Sequence, residues 1–193
     1  MPQPKKDAAL RSDAQRNRER ILKVATEELT RCADAPLSAI AKKAGVGQGT
    51  FYRNFPHREA LVLEVYRYEM QQVADAAPEL LRTRDPEQAL REWMDRLARF
   101  AMTKAGLADA IRLVTRAPGG PAKPRPTPVT EAAALLLRAN EEAGTIRPGV
   151  SADDFFLAIA GVWQVDPDDD WQPRIARLLD FVMDGLHAGA PGR

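Results

Sequence analysis

Apolar residues recur at helical spacing along most of the chain, and no stretch alternates as a half-buried strand would. The first stripe is Ile21, Leu22, Ala25 and Leu29; Ser12 and Gln15 stand ahead of it at capping-box spacing, so the first long helix is expected to open at Ser12. Residues 1–11, with Lys5, Lys6, Arg11 and two prolines, read as a mobile basic arm, either a plain terminus or one able to follow a DNA backbone. A short second helix, Leu37 to Ala44 after Pro36, sets Leu37, Ile40, Ala41 and Ala44 on one face with Lys42 and Lys43 off it. A third, Gln48 to Phe55, places Phe51 and Phe55 four apart on an inner face. The fourth is expected from Pro56 towards Leu81, with Leu61, Val62, Val65, Tyr66, Tyr68 and Met70 on more than one side. A helix apolar on several sides packs against two bodies, here a head before it and a body after it.

The body continues the pattern. Asp85-Pro86 begins a helix to about Lys104, with Leu90, Trp93, Met94, Leu97, Phe100 and Ala101 at the 3.6-residue period. A shorter helix is expected over Leu107 to Arg116. Residues 117–128, APGGPAKPRPTP, hold five prolines and two glycines and read as an extended loop, gate or plain connector. Helices then follow over Val129 to Ala143, over Ala152 to Gln164 capped by Ser151, and over about Pro173 to His187. The last carries Ile175, Leu178, Leu179, Val182 and Leu186, with Phe181 and Met183 beside them; its predecessor is apolar nearly all round with Phe155, Phe156, Leu157, Ile159, Val162 and Trp163. Two terminal helices with more apolar surface than one core requires predict a homodimer through 152–164 and 173–187, a two-fold four-helix interface. The fold class is all-α, about nine helices, divided into a head at 12–60 and a regulatory and dimerisation body at 61–193.

The sharpest local feature is the join between the second and third helices. Gly45-Val46-Gly47 sets two glycines around one apolar residue between two short helices, the helix-turn-helix pattern of DNA-binding modules. Gln48, Thr50, Tyr52, Arg53 and Asn54 look outward or sit on the flanks of the third helix. Arg53 suits bidentate reading of guanine, and Gln48 and Asn54 suit adenine or a phosphate. Thr50 and the Tyr52 hydroxyl suit phosphates, as do Ser38 and Lys43 on the second helix. Phe51 and Phe55 are better read as core, and His57 as a turn residue. Charge agrees with this placement. The chain carries a formal net charge of +1, yet residues 1–60 hold 12 Lys+Arg against 7 Asp+Glu and the remainder 16 against 20. A basic head and an acidic body offer phosphates one end only.

The stretch IAKKAGVGQGTFYRNFPHREALV, with RNRERILKVATEEL before it, closely resembles the DNA-binding motif of the TetR family of bacterial transcriptional regulators. Gly47 departs from it, standing where the family often has a serine N-cap. DPEQALREWMDRLARFAMTKAGLADAI, LLLRANEEAGTIRPGVSADDF and RIARLLDFVMDGL resemble the subgroup with an SbtR-like C-terminal domain, so the resemblance spans nearly the whole chain. It implies that Gln48, Thr50, Tyr52, Arg53 and Asn54 lie on or beside a recognition helix and that Arg58 fills a basic position opening the fourth helix. It also implies a dimer on a near-palindromic operator, more often a repressor. The body would hold a small-molecule pocket whose occupancy moves the fourth helix. Trp93, Phe100, Met102 and Phe155 or Phe156 could line such a pocket, although core packing is the better reading of each. Without a cluster of buried charge, the effector is expected to be apolar or aromatic.

Other chemistry is poorly supported. The single cysteine, Cys32, excludes an internal disulfide and a Cys-rich zinc site, and fits an inert residue near a helix end better than a redox sensor. Asp166, Asp168, Asp169 and Asp170 read as a solvated loop with one capping aspartate, better than as a cation site. His57 and His187 are the two histidines, neither beside a serine or cysteine nucleophile pattern, so no enzyme and no cofactor is expected. No run is long enough to span a membrane and MPQPKK lacks a signal-peptide core, which predicts a cytoplasmic protein. The alternative function is sequestration of a small molecule or partner with DNA binding secondary; an intact recognition helix argues against it.

Overall fold

The computed structural model describes residues 4–32, 34–103, 127–166 and 169–192, with side chains from Asp13 onward except that of Thr103. Eight α-helices and one 3-10 helix account for most of them, and no strand occurs among the described residues. They are α1 (Pro4–Arg31), α2 (Leu37–Lys43), α3 (Gln48–Asn54), α4 (Arg58–Thr83), α5 (Pro86–Thr103), α6 (Pro128–Glu142), α7 (Ala152–Ala158), the 3-10 helix (Ile159–Gln164) and α8 (Trp171–His187). The all-α class follows directly from the period of the apolar residues. The helix expected over 107–116, and the proline loop up to residue 126, lie outside the described residues.

The described residues fall into two compact units, one up to Tyr68 and the other from Glu69. In the first, Ile21, Leu22, Ala25 and Leu29 of α1, Ile40 and Ala41 of α2, Phe51 of α3 and Leu61, Val62 and Val65 of α4 form one buried cluster with Ala44 and Phe55. Three short or singly striped helices cannot bury their apolar faces alone, and this shared core is what fixes their mutual angles. The second unit is centred on Leu90, Trp93, Met94 and Leu97 of α5, Leu136 of α6, Phe155 of α7 and Leu179 of α8, all nearly inaccessible. Trp93 and Phe155 lie with ring centroids 6.4 Å apart, and the indole Nε1–H donates to the Val73 carbonyl at 2.8 Å. Asn140, fully buried, donates to the carbonyls of Pro86 and Leu136 and accepts from the Thr145 hydroxyl at 2.7 Å. Satisfied in this way, a buried amide stabilises the α5–α6 contact instead of opposing it.

Several boundaries differ from the sequence reading, each for a local reason. α1 starts at Pro4, not Ser12, so residues 4–11 are helical and not a loose arm. Proline is at home in a first turn, and Lys5, Lys6, Ala8, Ala9 and Leu10 are good helix formers with no breaker before Ser12. α4 begins at Arg58, two residues after Pro56, because His57 acts as the cap: its Nδ1 accepts from Ala60 N–H at 3.2 Å. α6 takes in Pro128, with Thr127 capping the Thr130 N–H, so the proline loop ends one residue earlier than expected. Ser151 caps the Asp154 N–H at 3.1 Å as read, and Asp85 caps Gln88 at 2.9 Å. Asp170 occupies the N-cap of α8, yet its side chain makes no capping bond. The single helix expected over 152–164 changes to 3-10 winding after Ala158, where β-branched Ile159 and Val162 flank Gly161.

Candidate nucleic-acid interface

The glycine turn between α2 and α3 forms a Schellman motif. Gly45 N–H donates to the Lys42 carbonyl and Val46 N–H to the Ala41 carbonyl, both at 3.1 Å. That pairing requires Gly45 to sit at φ +65°, a conformation open to glycine at little cost. Val46 tucks against the core, and Gly47 (φ −65°, ψ 144°) takes the extended N-cap conformation from which α3 starts. Phe51 and Phe55, both fully buried with centroids 5.6 Å apart, pin the inner face of α3 as the spacing predicts. The opposite face is consequently presented outward: Gln48, Tyr52, Arg53 and Asn54 are exposed and Thr50 half-buried.

On that face three of the expected DNA contacts form a network of their own. Arg53 Nε donates to the Gly49 carbonyl at 3.1 Å and Nη2 to Thr50 Oγ1 at 3.2 Å. Asn54 Nδ2 donates to the Thr50 carbonyl at 2.8 Å. Tyr52 stands edge-on to Phe51, its ring 5.7 Å away and its side chain reaching past the core. Gln48 opens the helix, exposed.

Three candidates are placed differently from one another. Ser38 lies exposed in the first turn of α2. Lys43, at the last position of α2, is tied by Nζ to Glu28 Oε1 at 2.8 Å, with Glu27 at 3.8 Å. Glu28 is a buried carboxylate on α1, and the hydrogen bonds from Lys43 first and Arg31 second hold its carboxyl below the usual glutamate range. Arg58 turns back to donate to the Ala35 carbonyl, bracing the segment that leads into α2. Lys43 and Arg58 thus serve the architecture of the head in this structure, whereas the α3 residues face outward.

Arg18 was missed. No sequence feature singles it out on α1, yet its guanidinium lies 5.1 Å from the Phe55 ring centroid and pairs with Glu64 of α4. Glu64 also takes Arg67, and despite its burial these two arginines hold its carboxyl below the usual range. Nothing local marks this contact, since Arg18 and Glu64 are 46 residues apart.

In the second unit the expected pocket residues are mostly core. Trp93, Met102 and Phe155 are buried, with Phe156 half-buried and edge-on to Phe155 at 5.6 Å. Phe155 also borders a cleft of about 430 Å³ between α7 and α8, and Phe100 with Val73 borders one of about 300 Å³ rimmed by Gln72, Arg96 and Arg99. Leu157 and Phe181 remain 75% and 78% exposed, and Trp163 is also exposed. Cys32 is exposed just beyond α1, not packed within it. No group of metal-ligating side chains occurs among the described residues; Asp168 lies outside them. No described helix is long and apolar enough to cross a membrane.

Residues 21–65 match the family described as bacterial regulatory proteins of the tetR family, and residues 85–188 match the SbtR-like C-terminal domain of transcriptional regulators. No curated protein matches the chain. Among solved structures, the TetR transcriptional regulator SCO0520 from Streptomyces coelicolor is 40% identical, covering 88% of this chain and 98% of its own, with a TM-score of 0.73. A TetR transcription regulatory protein from Mycobacterium vanbaalenii is 33% identical over 92% of this chain and 99% of its own, TM-score 0.67. A gamma-butyrolactone receptor described as ArpA-like shares the fold at 24% identity over 93% of this chain and 90% of its own, TM-score 0.53. With a helix-turn-helix whose second helix is held by Phe51 and Phe55 and turned outward, and with relatives matching along nearly its full length, the chain belongs to the TetR family of bacterial transcriptional regulators.

Proposed function

We propose that the protein is a homodimeric, ligand-responsive repressor that binds a near-palindromic operator through α3. The observation carrying this reading is the outward face of α3, where Gln48, Thr50, Tyr52, Arg53 and Asn54 stand together on a helix fixed from behind by two buried phenylalanines. A recognition helix needs such a rigid backing, because base contacts discriminate only if their donors are held in place. One head offers too little surface for tight specific binding. Two copies with recognition helices roughly 34–36 Å apart would meet successive major grooves on one side of the duplex. The apolar side chains left outside on α7, the 3-10 helix and α8 (Leu157, Trp163 and Phe181) supply a surface for the second copy. In this division of labour residues 12–60 are the DNA-binding head and 61–193 the regulatory and dimerisation body, with α4 shared between the two: its first turns carry Leu61, Val62 and Val65 into the core of the head.

The proposed effector is a small molecule with an apolar or aromatic body. A groove bordered by Val73 and Phe100, with Glu69, Gln72, Arg96 and Arg99 around them, offers such a molecule two apolar contacts beside α4. Selection from random duplex DNA by the purified protein, in moderate salt without added ligand, tests the whole reading. An inverted repeat with half-sites about 10 base pairs apart is the expected product. Folded protein that enriches no sequence at any salt concentration would sink it.

A further inference from the structure

This step rests on the proposal that α3 enters a major groove. The guanidinium of Arg53 has two usable edges: a side edge formed by Nε–H and one Nη2–H, and an end edge formed by Nη1 and the other Nη2–H. The side edge is turned onto its own helix, with Nε on the Gly49 carbonyl at 3.1 Å and Nη2 on the Thr50 hydroxyl at 3.2 Å. Two bonds to one helical turn, one to a backbone carbonyl and one to a side-chain hydroxyl, fix the guanidinium plane. The end edge keeps two parallel N–H donors directed away from that clamp, and two parallel N–H groups are what O6 and N7 of guanine accept.

We infer that Thr50 is a positioning residue: its hydroxyl, with the Gly49 carbonyl, holds Arg53 so that the end edge of the guanidinium reads a guanine at one fixed position in each half-site. The role differs from a phosphate contact by the Thr50 hydroxyl, and it makes Thr50 a determinant of specificity. Gly49 contributes its carbonyl with no side chain beside it, and a Cβ there would meet no atom of the protein within 4 Å, so internal packing does not demand a glycine. Asn54 is anchored independently through the Thr50 carbonyl, a backbone group that no substitution at position 50 removes.

That independence makes the test selective. Thr50→Val keeps the β-branched shape and the carbonyl and removes only the hydroxyl; Thr50→Ser keeps the hydroxyl. Wild type, both variants and Arg53→Lys are put through the same duplex selection, followed by binding measurements on the enriched site and on copies with the candidate guanine replaced. Wild type and Thr50→Ser are expected to prefer the same guanine in each half-site. Thr50→Val is expected to select the same repeat with that preference reduced about tenfold, and Arg53→Lys to lose it. Thr50→Val binding that weakens equally on every duplex, with the guanine preference intact, would assign the hydroxyl to a phosphate and overturn the inference while leaving the operator reading in place. A wild-type repeat with no fixed guanine would overturn it too. Failure of the wild type to select any repeat would remove the DNA reading and this step together.

Discussion

Glu28 shows how one side chain sets the electrostatics of the head. The residue is 7% exposed, and its carboxylate receives Lys43 from α2 and Arg31 from its own helix. A buried carboxylate without partners would be costly; with two charge-assisted donors it becomes a strut between α1 and α2. The carboxyl titrates below its ordinary range in the folded protein, Lys43 being the larger cause and Arg31 the next. The unfolded chain therefore binds the proton first as pH falls, so the stabilisation is complete above the ordinary glutamate value and disappears as pH drops through the lowered folded value. Glu28→Gln should melt below wild type at about pH 7, with the gap closing as pH falls through and below the glutamate range. Parallel melts of the two proteins across that window decide it, and a gap that stays constant to acid pH would show that the carboxylate's charge is irrelevant. Arg31 stands three residues after Glu28, a local helical spacing, but the Lys43 half of the strut was not legible in the sequence. Lys43 stands beside Lys42 on a basic helix and looks like a phosphate contact, and its partner is 15 positions away on another element. By contrast Phe51 and Phe55, four apart, declared their buried face locally and the structure bears it out.

At the scale of elements, the turn between α2 and α3 lets the two helices reach the angle their shared core fixes, and its two glycines have separate duties. Gly45 is needed for its positive φ: a Cβ there meets nothing within 4 Å, so any loss on substitution is backbone strain alone. Gly47 has an ordinary φ and equally open surroundings, and merely lacks a capping oxygen for the α3 amides. Gly45→Ala should cost about 1 kcal/mol, whereas Gly47→Ser should stabilise by a few tenths (~0.3 kcal/mol) through a new N-cap bond. Denaturant unfolding of both variants tests the assignment; destabilisation by Gly47→Ser would mean that the extended conformation there does not admit the capping geometry. This turn was readable because glycine spacing and helical period are local signals. The start of α1 was misread because an adequate capping box at Ser12 outweighed the absence of any breaker upstream. Ile175, Leu179 and Leu186 of α8 are buried as its stripe predicts, but Met183, set beside the stripe in the sequence reading, is buried at the i+4 step after Leu179, while Leu178 and Val182 are half-buried. Adjacent apolar residues on one helix leave the face ambiguous until its neighbours are known.

For the molecule as a whole, the proposed dimer turns on the exposed side chains of the last helices. Phe181 and Leu157 show about three quarters of their surfaces to solvent, and Phe181 borders, with Phe155, Val182 and Leu186, an apolar cleft of about 430 Å³. A two-fold axis brings the same patch from both copies together, so a projecting ring and an adjacent apolar recess on one surface can serve each other. Phe181→Glu leaves the core intact, since the side chain it replaces lies outside, and places a charge where the second copy would have to bury it. A buried, unpaired carboxylate is far costlier than a lost aromatic contact. The variant should keep its helical circular dichroism and melt cooperatively, sediment as a monomer where the wild type sediments as a dimer, and bind the selected operator at least about a hundredfold more weakly. Binding to a single half-site should change little, because each α3 keeps its own contacts. The pair of measurements separates the ways the idea could fail. A variant that is still dimeric would move the interface away from Phe181, and a monomeric variant with undiminished operator binding would show that one head suffices and that the operator's symmetry has another origin.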